Sequence, residues 1–238
     1  MSLILVTGAA RGIGAAIART LAQSGFDLIV HARHPSSEAE QVCADIAAMG
    51  RAAYLRYADL SDALQLQELF TNIHELGPLH GLVNNAGAIS YSGPLRQAPD
   101  EAISRDLALN LTAPIQITKY ALQRMDRGAV IVNISSVAAA SGAPGEYVHY
   151  AAAKAGLESF TLGLAKELAP EGIRVNAVSP GTIRTGFHLD PQRPDRVAER
   201  IPLGRPGEVE EIAAAVDWFF SPGATYATGS ILRVAGGL

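Results

Sequence analysis

The sequence predicts an α/β fold in which helices cover both faces of a doubly wound, mainly parallel sheet. Short apolar runs alternate with longer amphipathic stretches along all 238 residues. Most of these runs are continuously apolar, which is typical of parallel strands buried on both faces. The composition, 48% hydrophobic and 18% charged, provides a sizeable core and argues against disorder. Because no linker, repeat or low-complexity segment interrupts the alternation, residues 1–238 are predicted to form a single domain.

Seven apolar runs are predicted strands, and six amphipathic stretches between them are predicted helices. The strands are Leu3–Val6, Leu28–His31, Ala53–Tyr57, Gly81–Asn84, Ala129–Ile134, Arg174–Val178 and Ile231–Val234. The helices are Ile13–Ser24, Glu38–Met49, Asp62–Leu76, Asp100–Met125, Tyr150–Ala169 and Glu208–Phe220. Ser61 is expected to cap the third helix.

One segment, 185–208, does not follow the alternation. It contains four prolines and charges of both signs. A loop of this length is either functional or disordered, and the sequence leaves both alternatives open.

The charge and cysteine content exclude several classes of protein. A net charge of −4 with pI ≈ 5.9 gives no sign of a nucleic-acid-binding surface. The single cysteine, Cys43, cannot form an internal disulfide, which fits a reducing compartment. The apolar run near the N-terminus is too short for a signal peptide or a membrane span. The sequence therefore predicts a cytoplasmic protein without a membrane segment.

A glycine-rich turn lies between the first strand and the first helix. In "LILVTGAARGIGAAIA", Gly8, Gly12 and Gly14 allow a tight turn that brings backbone amides and a helix N-terminus close to an anion. The spacing differs from the standard Gly-x-Gly-x-x-Gly fingerprint, so the turn alone is weak evidence for a dinucleotide.

Three further motifs follow the carboxyl ends of predicted strands, where open α/β sheets bind ligands. They are "LVNNAG" (82–87), "VNISS" (132–136) and "SPGTIRT" (179–185). In addition, "YVHYAAAKAG" (147–156) places Tyr150 and Lys154 four residues apart, on one face of the predicted helix. Tyr147 and His149 do not share this spacing with the lysine.

Taken together and in this order, these motifs resemble the short-chain dehydrogenase/reductase family over Leu3 to Gly237. Within the family, "GIRVNAVSPG", "LGRPGEVEEIAAAV" and "YATGSILRVAGG" are similar to the 3-oxoacyl-acyl-carrier-protein reductase group. The resemblance implies a Rossmann-type sheet of seven mainly parallel strands. It also implies a homotetramer that pairs the helices Asp100–Met125 and Tyr150–Ala169.

The resemblance assigns four catalytic residues. Tyr150 would protonate a carbonyl oxygen, and a nearby ammonium at Lys154 is expected to lower the pKa of that phenol. Ser136 would hydrogen-bond the same oxygen, and Asn110 would organise a water relay to the lysine. Ser136 and Tyr150 are 14 residues apart, slightly more than the family often shows, so Ser135 remains an alternative. Tyr147 is expected to line the substrate pocket.

The second predicted strand indicates which nucleotide is bound. An NAD enzyme of this architecture places an acidic residue there to bind the ribose 2′-OH, whereas this strand ends in His31, Ala32, Arg33 and His34. A 2′-phosphate would instead meet Arg33, with Arg11 as a second guanidinium. NADP(H) is therefore the predicted cofactor. Its binding residues would be Gly8, Arg11, Gly12, Ile13, Gly14, Arg33, Asp59, Leu60, Asn85, Ala86, Gly87, Tyr150, Lys154, Pro180, Gly181, Ile183 and Thr185, with Asp59 and Leu60 packing on the adenine.

The predicted function is NADP(H)-dependent reduction of a carbonyl group in a small molecule or an acyl thioester. An acyl carrier protein is one predicted partner, with a basic landing site at Lys119, Arg124 and Arg127 near the active-site end of the sheet. Two features argue against this partner, which is itself acidic. Glu171 stands where several carrier-protein reductases have a basic residue, and the net charge of this chain is −4. The alternatives are an oxidative alcohol or sugar dehydrogenase and a non-catalytic nucleotide-sensing regulator.

No metal site is predicted, because the histidines lack metal-ligand spacing. All six are interpreted as surface or cofactor-rim residues. They are His31, His34, His74, His80, His149 and His188.

Overall fold

The structure is a computed structural model that describes residues 2–187 and 189–238. In these residues seven strands form one sheet of order β3-β2-β1-β4-β5-β6-β7. The strands are β1 (Leu3–Val6), β2 (Asp27–Ala32), β3 (Ala53–Tyr57), β4 (Leu79–Asn84), β5 (Val130–Ile134), β6 (Arg174–Pro180) and β7 (Ile231–Val234). Every neighbouring pair is parallel. The predicted sheet is confirmed, and it is parallel throughout.

The α-helices return the chain from the end of one strand to the start of the next. They are α1 (Gly12–Gln23), α2 (Ser37–Ala48), α3 (Ala63–Asn72), α4 (Asp100–Leu107), α5 (Ala113–Leu122), α6 (Ala138–Ser141), α7 (Val148–Leu168), α8 (Arg193–Arg196) and α9 (Val209–Phe220). Asp62, and not Ser61, caps α3, because its carboxylate accepts the amides of Leu64 and Gln65.

Two apolar clusters fill the space between the sheet and its helices. One joins the strands to α1, α2 and α9, with Ile4, Ile17 and Phe219 fully buried. The other joins the opposite face to α3, α5 and α7, with Leu5 and Leu82 fully buried. Ile4 and Leu5 are consecutive and enter different clusters, because successive strand side chains point to opposite faces. This explains why the strands are continuously apolar.

The strand order reverses its direction between β1 and β4. From β1 the chain builds outward to β2 and β3, and it then crosses to the other side of β1 to form β4. Val6 is paired with Val30 on one side and with Val83 on the other. The loops after β1 and β4 therefore leave a crevice at the carboxyl edge, where sheets of this type bind ligands.

The predicted helix Asp100–Met125 is interrupted by a turn of π-helix at Ala108–Thr112, which joins α4 to α5. Pro114 has no amide hydrogen, so it cannot bond to the carbonyl of Asn110 four residues earlier. The lost bond favours the wider turn, and such turns occur frequently at functional sites. Asn110 lies inside this turn, fully buried.

The segment 185–208 is partly helical in its described residues. It contains α8 and a 3₁₀ turn at Ala198–Arg200. A parallel bridge between Ile183 and Gly207 closes the base of the segment, and Arg193 pairs with Glu146 at 2.7 Å near the start of α7. The described residues of the segment therefore cover the carboxyl edge of the sheet.

Candidate active site

The glycine turn and the "NNAG" motif are joined by hydrogen bonds centred on Thr7. Its hydroxyl oxygen accepts the amides of Asn85 at 2.9 Å and Ala86 at 3.0 Å. The Asn85 side-chain amide donates in return to the carbonyl oxygens of Thr7 and Gly8, at 2.9 and 3.1 Å. The structure thus brings together two motifs that lie almost eighty residues apart in the sequence.

The glycine turn has the shape of an anion cradle. Gly8 and Gly12 adopt positive φ angles of 63° and 56°. At Gly14 a Cβ atom would lie 2.3 Å from the Gly8 carbonyl oxygen, so a larger residue would push α1 away from the turn. Among the residues that the structure covers, no side chain caps α1. The helix begins just after β1, at the carboxyl edge of the sheet, and the first amides of a helix have no carbonyl partner within it. An uncapped helix N-terminus at this edge fits the pyrophosphate of a dinucleotide.

His31 supports this turn from beneath, and its interpretation as a surface or rim residue is wrong. The ring is 2% exposed. Its Nδ1 accepts the Gly8 amide at 3.1 Å, and its Nε2 donates to the Ala58 carbonyl at 3.0 Å. Burial lowers the pKa of His31 to about 4, so the ring is neutral and holds the two roles at once.

Ser136 and Ser135 point in different directions. A side-chain hydrogen bond joins Ser136 to the Tyr150 phenol. The Ser135 hydroxyl instead donates to the Glu158 carboxylate at 2.8 Å. Of the two serines left open by the sequence, the structure places Ser136 at the tyrosine.

Tyr150 and Lys154 lie one turn apart on α7, as their spacing predicts, and both are buried. The Lys154 Nζ lies 5.6 Å from the centre of the Tyr150 ring and donates to the Ile134 carbonyl at 2.8 Å. Burial lowers the pKa of Lys154 to about 8. The ammonium is therefore held at the carboxyl end of β5, next to the phenol.

The pKa of Tyr150 is raised, whereas the sequence analysis expects it to be lowered. Burial is the largest cause, the hydrogen bond from Ser136 acts in the opposite direction, and the charges of Tyr147 and Asp106 raise the pKa further. In this structure the loss of hydration outweighs any stabilisation of a phenolate by the ammonium. Tyr150 therefore keeps its proton at neutral pH.

Asn110 holds the loop after β4 against α4. Its side-chain amide donates to the carbonyl oxygens of Ala88 at 2.7 Å and Asp106 at 2.9 Å. Its Oδ1 has no hydrogen-bond partner in the described part of the chain. A Cβ atom at Gly87 would lie 2.6 Å from this oxygen and 3.7 Å from the Lys154 Nζ. Asn110 thus lies near the lysine, with an acceptor left for a further donor.

The aromatic ring of Tyr147 lies against that of Tyr150, at 5.6 Å between centroids and nearly perpendicular. Phe187 lies on Tyr150 as well, at 6.1 Å. The Arg193 guanidinium covers the Tyr147 ring at 5.7 Å. The phenol that the motif identifies is therefore surrounded by aromatic surface contributed by α7 and by the segment 185–208.

The remaining predicted cofactor residues lie along the same edge, but the two arginines already have acidic neighbours. Arg33 is exposed and pairs with Asp59 at 2.6 Å. Hydrogen bonds from its own backbone amide and from Ser36 lower the pKa of Glu38, and the charge of Arg11 contributes least to this shift. The Leu60 side chain is buried in the core, which leaves only its backbone for a ligand.

Arg11, Gly12 and Thr185 line one cleft of ≈ 840 Å³. Ile13 is half-buried against the core, Pro180 ends β6, Gly181 bonds to Val234, and Ile183 bridges to Gly207.

The sequence analysis missed the pair of His149 and Asp106. The His149 Nε2 lies 2.9 Å from the Asp106 carboxylate, and both side chains are almost fully buried. The interpretation of His149 as a surface or rim residue is therefore wrong. In the sequence, the position of His149 immediately before Tyr150 was the signal that could have indicated a role in the site. His34, His74 and His80 are exposed, and His188 lies outside the described residues.

The predicted basic landing site is in the wrong place. Arg124 follows α5, and its carbonyl accepts the amide of Leu79 at the start of β4. Arg127 donates to the Pro170 carbonyl beyond α7. Within the chain these arginines lie at the amino edge of the sheet, opposite the active-site edge, because helices run antiparallel to the strands that they follow.

The described residues contain neither a membrane-crossing helix nor a metal-binding group of side chains. No helix in residues 2–187 or 189–238 is long and apolar enough to cross a membrane. Over the same ranges, no group of three or more histidine, cysteine, aspartate or glutamate side chains could hold a metal ion.

Comparisons with known proteins agree with this geometry. A family model described as enoyl-(acyl carrier protein) reductase matches residues 8–238. The uncharacterized oxidoreductase YgfF of Escherichia coli (strain K12) is 42% identical over the full length of both chains. A 3-oxoacyl-[acyl-carrier-protein] reductase of Synechocystis sp. is 38% identical, covering 98% of this chain and 95% of its own.

Solved structures show the same fold. A short-chain dehydrogenase from Burkholderia cenocepacia J2315, in complex with NADP, superposes with a TM-score of 0.94 at 34% identity, covering 99% of this chain and 97% of its own. The angucycline C-6 ketoreductase LanV with bound NADP gives a TM-score of 0.93 at 31% identity, covering 99% and 95%. The glycine turn, the strand order and the Ser136–Tyr150–Lys154 cluster therefore have one explanation: the chain belongs to the short-chain dehydrogenase/reductase family of oxidoreductases and is similar to its 3-oxoacyl-acyl-carrier-protein reductase group.

Proposed function

We propose that this protein is an NADP(H)-dependent carbonyl reductase that converts a keto group into a hydroxyl group. The observation that carries the proposal is the convergence of Ser136 and Lys154 on Tyr150, a buried phenol that keeps its proton. A non-catalytic nucleotide sensor would not need this cluster. The whole chain acts as one nucleotide-binding domain in this proposal.

The residues have separate roles in the reaction. A reduced nicotinamide supplies a hydride to the carbonyl carbon when it is bound. Tyr150 donates its phenolic proton to the carbonyl oxygen, which gains negative charge as the carbon is reduced. Ser136 donates a hydrogen bond to the same oxygen and holds it beside the phenol. Lys154 and Asn110 return a proton to Tyr150, since the Asn110 Oδ1 can hold a water molecule near the ammonium.

Tyr150 holds its proton at neutral pH, as the acid in a carbonyl reduction must. Burial raises the pKa of Tyr150 and makes the phenol a weaker acid, so in this proposal the proton moves only as negative charge develops on the substrate oxygen.

Arg33 supports NADP(H) as the cofactor. It follows β2, where an NAD enzyme of this architecture carries an acidic residue, and its side chain is 65% exposed. Its ion pair with Asp59 is partly exposed, and such pairs contribute only about 0–1 kcal/mol. A 2′-phosphate can therefore compete for the guanidinium, with two parallel hydrogen bonds. The NADP-bound relatives agree with this assignment.

A 3-oxoacyl thioester is the substrate favoured by the named relatives, which would place the protein in fatty acid biosynthesis. The rings around Tyr150 provide an apolar surface for an acyl chain. An acyl carrier protein as partner, a homotetramer and a cytoplasmic location complete the proposal. The carrier would have to reach the carboxyl edge of the sheet without the basic site that the sequence predicted there.

A single set of absorbance assays tests these statements. Purified protein is mixed with NADPH or NADH and offered small ketones, quinones, a 3-oxoacyl thioester with and without its carrier protein, and an α,β-unsaturated thioester. Reverse assays use NADP⁺ with secondary alcohols and sugars. We expect NADPH to be consumed with the 3-oxoacyl thioester. Turnover of the unsaturated thioester alone would indicate C=C reduction, as the family model's description suggests, and tight NADPH binding without any turnover would indicate a sensor.

A further inference from the structure

A buried hydrogen-bond network lies beside the proposed acid and is not used by the reaction described above. The Asp106 carboxylate is its centre. The Ser90 amide lies 3.0 Å from each of its oxygens, and the His149 Nε2 donates to one of them at 2.9 Å. Asp106 and His149 are 1% and 6% exposed, and a buried carboxylate is stable only when hydrogen bonds of this kind replace its hydration.

The network joins three of the elements that contribute to the active site. His149 belongs to the first turn of α7 and immediately precedes Tyr150. Asp106 belongs to α4, and its carbonyl accepts the side chain of Asn110. Ser90 belongs to the loop after β4, which Asn110 also holds through Ala88.

We propose that His149 and Asp106 are a positioning pair that fixes Tyr150 relative to Asn110 and the loop 88–91. The inference rests on the proposed reductase function. Neither residue touches the reacting atoms in this scheme. His149 acts through the position of the helix, and Asp106 acts through its hydrogen bonds.

Three variants test the positioning role of His149 and Asp106. His149→Leu removes the donor to Asp106, and His149→Gln restores an N–H donor of similar reach. Asp106→Asn keeps the shape and removes the charge. His74→Leu is the matched control, since His74 is exposed at the amino edge of the sheet. For each protein the measurements are thermal stability, the NADPH dissociation constant, kcat and KM for the carbonyl substrate, and kcat against pH.

We expect His149→Leu to lower kcat at least ~10-fold, since a small misplacement of a reacting group has effects of this order, while the NADPH dissociation constant stays within about 2-fold of wild type. His149→Gln should recover most of the activity. Asp106→Asn should lower kcat in the same direction as His149→Leu, because an amide offers one acceptor oxygen where the carboxylate has two.

His149→Leu leaves a buried carboxylate without one partner, which is strongly destabilising. If it does not fold, His149→Gln and Asp106→Asn decide the question. An unchanged kcat in a folded Asp106→Asn would overturn the proposal, as would a fully active, folded His149→Leu. A wild-type protein that binds NADPH and reduces no carbonyl would refute the proposed function instead, and the positioning role would then fall with it.

Discussion

His31 makes the stability of the fold depend on pH, and the size of the effect follows from its shifted pKa. Burial lowers the pKa of His31 to about 4 in the folded chain, against 6.5 for an ordinary histidine, while the bond to the Ala58 carbonyl and the charge of Asp59 act in the opposite direction. The neutral ring accepts the Gly8 amide and donates to the Ala58 carbonyl. A protonated ring has no acceptor, so it would also lose the bond to Gly8.

The direction of the effect is fixed by the lowered pKa. Because the unfolded chain binds the proton more tightly, the contribution of His31 to stability is fully present above pH 6.5 and is lost as the pH falls toward 4. The linkage relation gives a loss of roughly 2 kcal/mol between pH 7 and pH 5, and about 3 kcal/mol once the pH is below both values.

His31→Asn tests this linkage. Asparagine can still accept the Gly8 amide but does not titrate, and it cannot reach Ala58 as the ring does. We expect the variant to be less stable than wild type at pH 7 by about 1–2 kcal/mol. Its further loss of stability between pH 7 and pH 5 should be smaller than that of wild type by roughly 2 kcal/mol.

The assay is urea unfolding at both pH values, at one protein concentration because subunit association would otherwise change the apparent stability. Carboxylates that titrate in the same range contribute equally to both proteins and cancel in the comparison. His34→Asn is the control, since His34 is exposed nearby, and it should lose as much stability on acidification as wild type. Equal losses in wild type and His31→Asn would refute the reasoning.

Three further predictions concern the proposed chemistry. Tyr150→Phe should lower kcat at least ~10²-fold, the usual size of a general acid effect, with NADPH binding retained; Tyr147→Phe should keep most activity, and near-normal turnover in Tyr150→Phe would contradict its role. Ser136→Ala should lower kcat ~10-fold or more through the lost contact to the oxygen, whereas Ser135→Ala should affect kcat little; the reverse order in steady-state assays would exchange the two serines. Arg33→Asp should weaken NADPH far more than NADH in fluorescence titrations at fixed salt, and equal or tighter NADH binding by the wild type would overturn the NADP(H) assignment.

Much of the fold was predictable because it depends on local signals. A strand buried on both faces is continuously apolar, and a four-residue spacing on a helix brings Tyr150 and Lys154 together whatever surrounds them. The sequence could also have separated Ser135 from Ser136, since successive residues that leave a strand point to opposite sides of the sheet. The position of Arg124 at the amino edge of the sheet was predictable as well, because a helix that begins at the carboxyl edge must end at the amino edge.

The features that sequence reasoning missed depend on distant partners. His31 is buried because of Gly8 and Ala58, 23 and 27 residues away, and His149 because of Asp106, 43 residues away. A histidine pattern contains no information about such partners. The π-turn around Asn110 is an intermediate case, since Pro114 is a visible signal but continued helix was the simpler expectation.

The opposite pKa shifts of Tyr150 and Lys154 have one cause and one consequence. Burial penalises a charge on either group, so it raises the pKa of the phenol and lowers that of the amine to about 8. At neutral pH the phenol is therefore uncharged and the ammonium is only weakly favoured over the free amine. A new negative charge on a substrate oxygen beside them would be stabilised by that ammonium in a region of low dielectric constant, and the phenol could transfer its proton to it. The same burial that keeps the proton on Tyr150 thus makes the site respond to the charge that carbonyl reduction creates.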